Sequence, residues 1–129
     1  MLLRPKEIYI ERDYNNTKDL YYVAYNSFYR DHKALFHVMK LQQDYICRPS
    51  FKKKSICVLF FYTDVTREVM DQLLEQLEQC KDHTEKVAIV GVPVNAWAWF
   101  RLMAKRKNSN LAPYQFFFSS KAAMDWLRK

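Results

Sequence analysis

Three histidines, three cysteines and a scatter of hydroxyls and carboxylates are the groups with which this chain could do chemistry. Nucleophilic catalysis needs a Ser, Thr or Cys supplied with a base. A metal site needs several His, Cys or carboxylate ligands at short spacings, and a phosphate cradle needs a glycine-rich loop. The spacing assembles none of these. His32 and His37 stand five residues apart on one helix, so they point to different faces, and His83 is remote from both. Cys57 falls inside an apolar run and Cys80 on the apolar stripe of a helix, so both read as small core residues. Cys47, at a helix end, is the cysteine expected to meet solvent. Gly91 is the chain's one glycine and cannot build a nucleotide loop. Asp64 reads as a turn residue, and Ser119 and Ser120 as helix caps. The expectation is a protein that is not an enzyme and holds no metal and no cofactor.

Groups suited to binding remain. Open α/β sheets gather ligands beyond the carboxyl ends of their parallel strands. Asn26, Thr63, Asp64, Thr66, Gly91, Pro93 and Asn95 fall on that rim. Gly91 permits close backbone approach, and Thr66 and Asn95 open helices whose free N–H groups could take an anion or simply be capped. Trp97, Trp99 and Phe100 form a second group. Positions 97 and 99 lie about 200° apart on a helix, so both indoles cannot face one core. Either one of them belongs to an exposed apolar patch or a neighbouring element covers it. The net charge of +7 concentrates in two runs, Lys52-Lys53-Lys54 and Lys105-Arg106-Lys107. Such clusters attract nucleic acid, anionic lipid or acidic partners, and also simply solubilise helix and strand ends.

The elements that position these groups follow from periodicity. Ile56-Cys57-Val58-Leu59-Phe60-Phe61-Tyr62 is apolar without alternation, which predicts a strand buried on both faces. Thr66 opens a helix whose apolar residues Val69, Met70, Leu73, Leu74, Leu77 and Cys80 recur at three and four. Val87 to Val90 is the next buried strand, completing a βαβ unit whose crossover is expected to be right-handed. Upstream, Ile8 to Ile10 and Leu20 to Tyr25 form a hairpin around the polar turn Asp13 to Asp19. A helix then runs from about Tyr29 to Cys47, capped by Ser27 or Asp31 and stopped at Arg48-Pro49-Ser50. Downstream, Asn95 caps a helix to about Lys107, apolar along nearly all its first half. Tyr114 to Phe118 is the last strand, and a closing helix turns Ala122, Ala123, Trp126 and Leu127 inward. The order β-β-α-β-α-β-α-β-α predicts one α/β domain over residues 1–129. It would be a mixed five-stranded sheet, mostly parallel, with the first strand antiparallel and four helices. No apolar run reaches the roughly 18 residues of a membrane span. The opening residues lack a secretory h-region, so a cytoplasmic protein is expected.

Three segments, in order and at matching spacing, resemble the STAS-like (SpoIIAA-like) family of small bacterial domains. They are Val58-Leu59 through Thr66-Arg67-Glu68-Val69, then Lys86 through Val92 (similar to a "K-x-A-V-V-G" segment before a helix), then Phe116 through Leu127, closing on "A-x-x-W-L". The resemblance covers almost the whole chain from Ile8. It implies regulatory modules that act by protein–protein contact. In anti-sigma antagonists of the family, a serine opening the central helix is phosphorylated and partner binding is lost. This chain departs from that pattern. It has no Asp-Ser-Ser-Gly turn, Phe61 stands where an acidic residue often ends the strand, and Thr66 is the hydroxyl at the equivalent helix start. Thr66 is thus the phosphorylation candidate, with plain N-capping as the alternative. The reading is a regulatory module that binds a protein partner or a second copy of itself. An apolar-ligand or lipid-binding protein and a basic nucleic-acid-binding domain are the alternatives.

Overall fold

The computed structural model describes residues 8–12, 19–49 and 52–129, with side-chain surroundings from residue 20 onward. Of the polar turn expected over Asp13 to Asp19, residues 13–18 lie outside the described residues and Asp19 opens a strand; of the helix stop Arg48-Pro49-Ser50, Ser50 lies outside them. Five strands, β1 (Ile8–Arg12), β2 (Asp19–Ala24), β3 (Lys54–Leu59), β4 (Thr84–Val90) and β5 (Tyr114–Phe117), form one sheet in sequential order. β1 runs antiparallel to β2, and β2 to β5 are mutually parallel. The helices are α1 (His32–Ile46), α2 (Arg67–Gln79), α3 (Val94–Arg106) and α4 (Ser120–Leu127).

Each parallel strand lies beside its predecessor and the sheet grows in one direction, so crossovers of one hand must drop α1, α2 and α3 on one face. They do: Ile56, Val58 and Phe60 point into a core shared with all three helices. Cys57 and Leu59 point the other way, against Ala123, Met124 and Leu127 of α4. Both faces of β3 are therefore dry, which is why its sequence shows no polar alternation.

Several boundaries differ from the expected ones. β3 ends at Leu59 rather than Tyr62, as the chain goes into a turn over Phe61 and Tyr62, with Tyr62 at positive φ. α1 starts at His32 rather than Tyr29. Ser27 and Tyr29 sit at φ 64° and 51°, incompatible with a helix, and Asp31 is the cap, its Oδ1 accepting from the Ala34 N–H at 3.1 Å. Pro93, not Asn95, occupies the N-cap position of α3, which places Asn95 in the first turn without a capping role. β5 stops at Phe117 and leaves Phe118 exposed. In α4 the buried set is Ala123, Met124 and Leu127, with Trp126 half-buried against the same core as expected, while Ala122 is exposed.

One core residue breaks the rule that buried polar groups are paired. Gln42 of α1 is 0% exposed, and among the described residues neither amide atom has a hydrogen-bond partner. Its neighbour in type, Gln76 of α2, is buried but exchanges hydrogen bonds with the Tyr25 hydroxyl at 2.6 and 2.9 Å. An orphaned buried amide costs about 1–3 kcal/mol. Gln42→Met, similar in shape and apolar, is therefore expected to raise stability by about 1–2 kcal/mol, read as a higher urea midpoint at unchanged m-value. A lower midpoint would show that the amide is paired in solution.

Candidate functional site

The loops leaving β2 and β3 are laced together beyond the last residues of the strands. The Tyr25 N–H donates to Leu59 O at 2.8 Å, Ser27 N–H to Phe61 O at 2.8 Å, and Tyr29 N–H to Tyr62 O at 3.0 Å. Asp64 N–H returns to Tyr29 O at 2.7 Å, which makes the isolated parallel bridge between Tyr29 and Thr63. Side chains close the remaining gaps. Asn26 Oδ1 accepts from the Phe61 N–H at 2.8 Å, and Thr63 Oγ1 accepts from the Phe28 N–H at 3.1 Å while donating to Tyr25 O. His32 Nε2 donates to Asp64 O at 2.9 Å. Asn26, Thr63 and Asp64, three of the rim residues expected from sequence, are thus brought together as the scaffold of the rim.

That scaffold holds aromatic rings in water. Tyr29 is 64% exposed, Tyr62 75% and, at the exit of β5, Phe118 78%, and Val94, the first residue of α3, is exposed as well. Tyr29 and Tyr62 are held at φ 51° and 59°, where a bulky side chain is uncommon and strained. Sequence reasoning put Tyr62 and Phe118 inside strands and Tyr29 inside a helix. A continuous apolar run gives no local sign of where its last residue leaves the sheet.

The third part of the rim is the space between the N-termini of α2 and α3. A cleft of about 330 Å³ there is lined by Val65, Thr66, Arg67, Asn95, Trp99 and Leu102, among others. Thr66 is the α2 N-cap, its Oγ1 accepting from the Val69 N–H at 3.3 Å. The Arg67 guanidinium lies 4.3 Å from the Trp99 ring centroid, and Trp99 Nε1 donates to Asp71 Oδ1 at 3.1 Å. Gly91, at φ 88°, turns the chain from β4 toward Pro93.

The aromatic group on α3 is not an open patch. Phe100 is 0% exposed, edge-on to Tyr114 and Phe116 at 5.1 and 5.5 Å, so it offers nothing to a partner. Trp97 is half-buried, stacked on Phe116 at 5.4 Å and against Phe118 at 4.9 Å, with Nε1 donating to Val92 O at 2.7 Å. Trp99 is half-buried against α2 on the other side. The 200° separation is resolved by two covering elements, β5 and α2. The large apolar residues of α3 that are exposed are Val94 and Leu102, and the small Ala98 is exposed with them.

Lys52 and Lys53, with Lys54 opening β3, and Lys105, Arg106 and Lys107 ending α3 all fall at the opposite, amino-terminal end of the parallel strands. Among the described residues no three His, Cys, Asp or Glu gather as a metal site, and no helix is long and apolar enough to cross a membrane. Two thiols that sequence spacing kept apart do meet: Cys47 and Cys80, C-caps of α1 and α2, have sulfurs 2.7 Å apart.

This sheet order, with three helices on one face and a short closing helix on the other, is the SpoIIAA-like α/β fold. The chain superposes on an uncharacterized protein of the DUF3478 family with a SpoIIAA-like fold from Shewanella loihica PV-4, at a TM-score of 0.53 and 15% identity, covering 93% of this chain and 91% of that one. The resemblance read from the sequence holds at the level of the fold. No family model matches the sequence, and no curated protein does.

Proposed function

We infer that this chain is a non-catalytic recognition module that grips a protein partner with the rim beyond the carboxyl ends of its parallel strands. The observation that carries the reading is the set of exposed aromatic rings at that rim, two of them on strained backbone that a lattice of loop hydrogen bonds holds fixed. Strain of this kind persists where surrounding structure over-determines it, and it clusters at functional sites. Rigid, exposed Tyr and Phe are also the side chains that dominate protein–protein hot spots, because they bury much area at little entropic cost. The cleft beside Thr66 extends this surface. A phosphate on Thr66 would place about two negative charges at the α2 N-terminus beside Arg67, remodelling the rim where a partner would sit. That is the form in which regulation, as implied by the SpoIIAA-like fold, would operate here.

A paired capture experiment from lysate of the source cell tests the reading. Wild type and a Leu41→Ser control, altered on an exposed α1 residue, are expected to retain the same protein. The Tyr62→Ser/Phe118→Ser double variant is expected to lose it by more than about 10-fold, roughly 1.4 kcal/mol. Equal recovery by all three proteins defeats the proposal. Recovery of nucleic acid released by raising the salt would instead move the function to the basic end of the sheet. Copurified lipid would favour an apolar-ligand role.

A further inference from the structure

We propose that Cys47 and Cys80 are a reversible dithiol–disulfide pair that locks the C-terminal ends of α1 and α2 together. Their sulfurs stand 2.7 Å apart, within about 0.7 Å of a disulfide bond length, although the residues are 33 apart in sequence. Both belong to rigid positions. Each is a helix C-cap whose N–H bonds back into its own last turn, to Gln43 O for Cys47 and Gln76 O for Cys80. Each thiol also faces the other helix. Cys47 Sγ lies 3.4 Å from Gln79 O and Cys80 Sγ 3.9 Å from Gln43 O, so the pair is aligned across the α1–α2 seam from both sides. Cys57, the third cysteine, points to the opposite face of the sheet and is excluded from this chemistry.

The two partners are unequal. Cys47 is half-buried, whereas Cys80 is buried and desolvation, reinforced by its contact with Cys47, pushes its thiol well above the usual range. Cys47 is therefore the attacking thiol and Cys80 the resolving one. With a low-molecular-weight disulfide such as oxidised glutathione, the Cys47 thiolate attacks one sulfur, forming a mixed disulfide and expelling one glutathione thiolate. The Cys80 thiolate then attacks the Cys47 sulfur and expels the second. Two protein thiols and one glutathione disulfide become one protein disulfide and two glutathione thiols, the two released protons passing to the departing thiolates. Excess dithiol reductant reverses both steps.

The test incubates the full chain with oxidised glutathione and follows it by intact mass and by peptide mapping under non-reducing conditions. The expected product is a monomer that has lost two hydrogens, carries no glutathione, contains a Cys47–Cys80 cross-linked peptide pair and retains a free Cys57. Its melting temperature should rise and return on adding dithiothreitol, and Cys57→Ser should behave identically. Cys80→Ser should stop at the glutathione adduct on Cys47. A wild-type protein that stops at that adduct, links between molecules or keeps all its thiols overturns the proposal. The wild-type mapping decides the matter even where a serine variant folds poorly.

Discussion

Phe100→Ala is expected to lower the stability of the protein by about 3–5 kcal/mol, enough to leave a population unfolded at room temperature. The ring is fully buried beneath α3, and two aromatic neighbours, Tyr114 and Phe116, meet it edge-on. Truncation removes the transfer free energy of a phenyl group, leaves a cavity, and forfeits two aromatic pairs that contribute about 0.5–1.5 kcal/mol each beyond area. The cavity should persist, because the walls are parts of β5 and α3 that other contacts already fix. Trp97 stays bonded to Val92 O and stacked on Phe116, so it cannot swing in to fill the space. Phe100→Leu, which keeps most of the volume but loses both aromatic pairs, should cost less, about 1–3 kcal/mol. Denaturant unfolding of the two variants checks this. Similar losses for both would mean that α3 settles onto the sheet and closes the void. At about 4 °C per kcal/mol, the alanine variant should melt roughly 12–20 °C below wild type.

The same helix shows what the sequence could and could not disclose. Its near-continuous apolar character left open whether it is deeply buried or presents a surface, and periodicity could not name the covering elements. Trp97 and Trp99 point about 200° apart, and each is covered by a separate neighbour, β5 or α2. The central βαβ unit was legible because both faces of β3 are dry, a condition that removes polar alternation over the whole strand. Thr66 was legible as a cap because capping is local chemistry. The rim's exposed aromatic residues were not. Whether Tyr62 is the last strand residue or the first loop residue depends on hydrogen bonds to Asn26, Ser27 and Tyr29, which lie more than 30 residues away. The cysteine pair was hidden for the same reason: Cys47 and Cys80 are each ordinary helix ends, and only adjacency of α1 and α2 brings them together.

Gly91 is where the fold and the proposed rim are most tightly joined, and Gly91→Ala is expected to destabilise by about 2–4 kcal/mol. Two costs combine. At φ 88° an L side chain is strained by about 1–3 kcal/mol. An added Cβ would also lie 3.1 Å from Phe60 C, 3.2 Å from Phe61 N and 3.3 Å from Phe60 N. All three atoms are backbone, and Phe60 N–H is pinned to Val90 O at 2.9 Å, so the neighbour can yield only by disturbing the exit of β3. Gly91→Asn separates the two terms. Asparagine tolerates positive φ far better than alanine but carries the same Cβ. If conformational strain dominates, the asparagine variant should recover at least half of the loss, measured as the urea midpoint. If close approach dominates, both variants should fall together, and the displacement should pass through Phe60 and Phe61 to Tyr62. In that case partner capture by a Gly91→Asn protein that remains folded should weaken about as much as capture by a Tyr62 variant, because β3 could no longer hold that ring at its strained position.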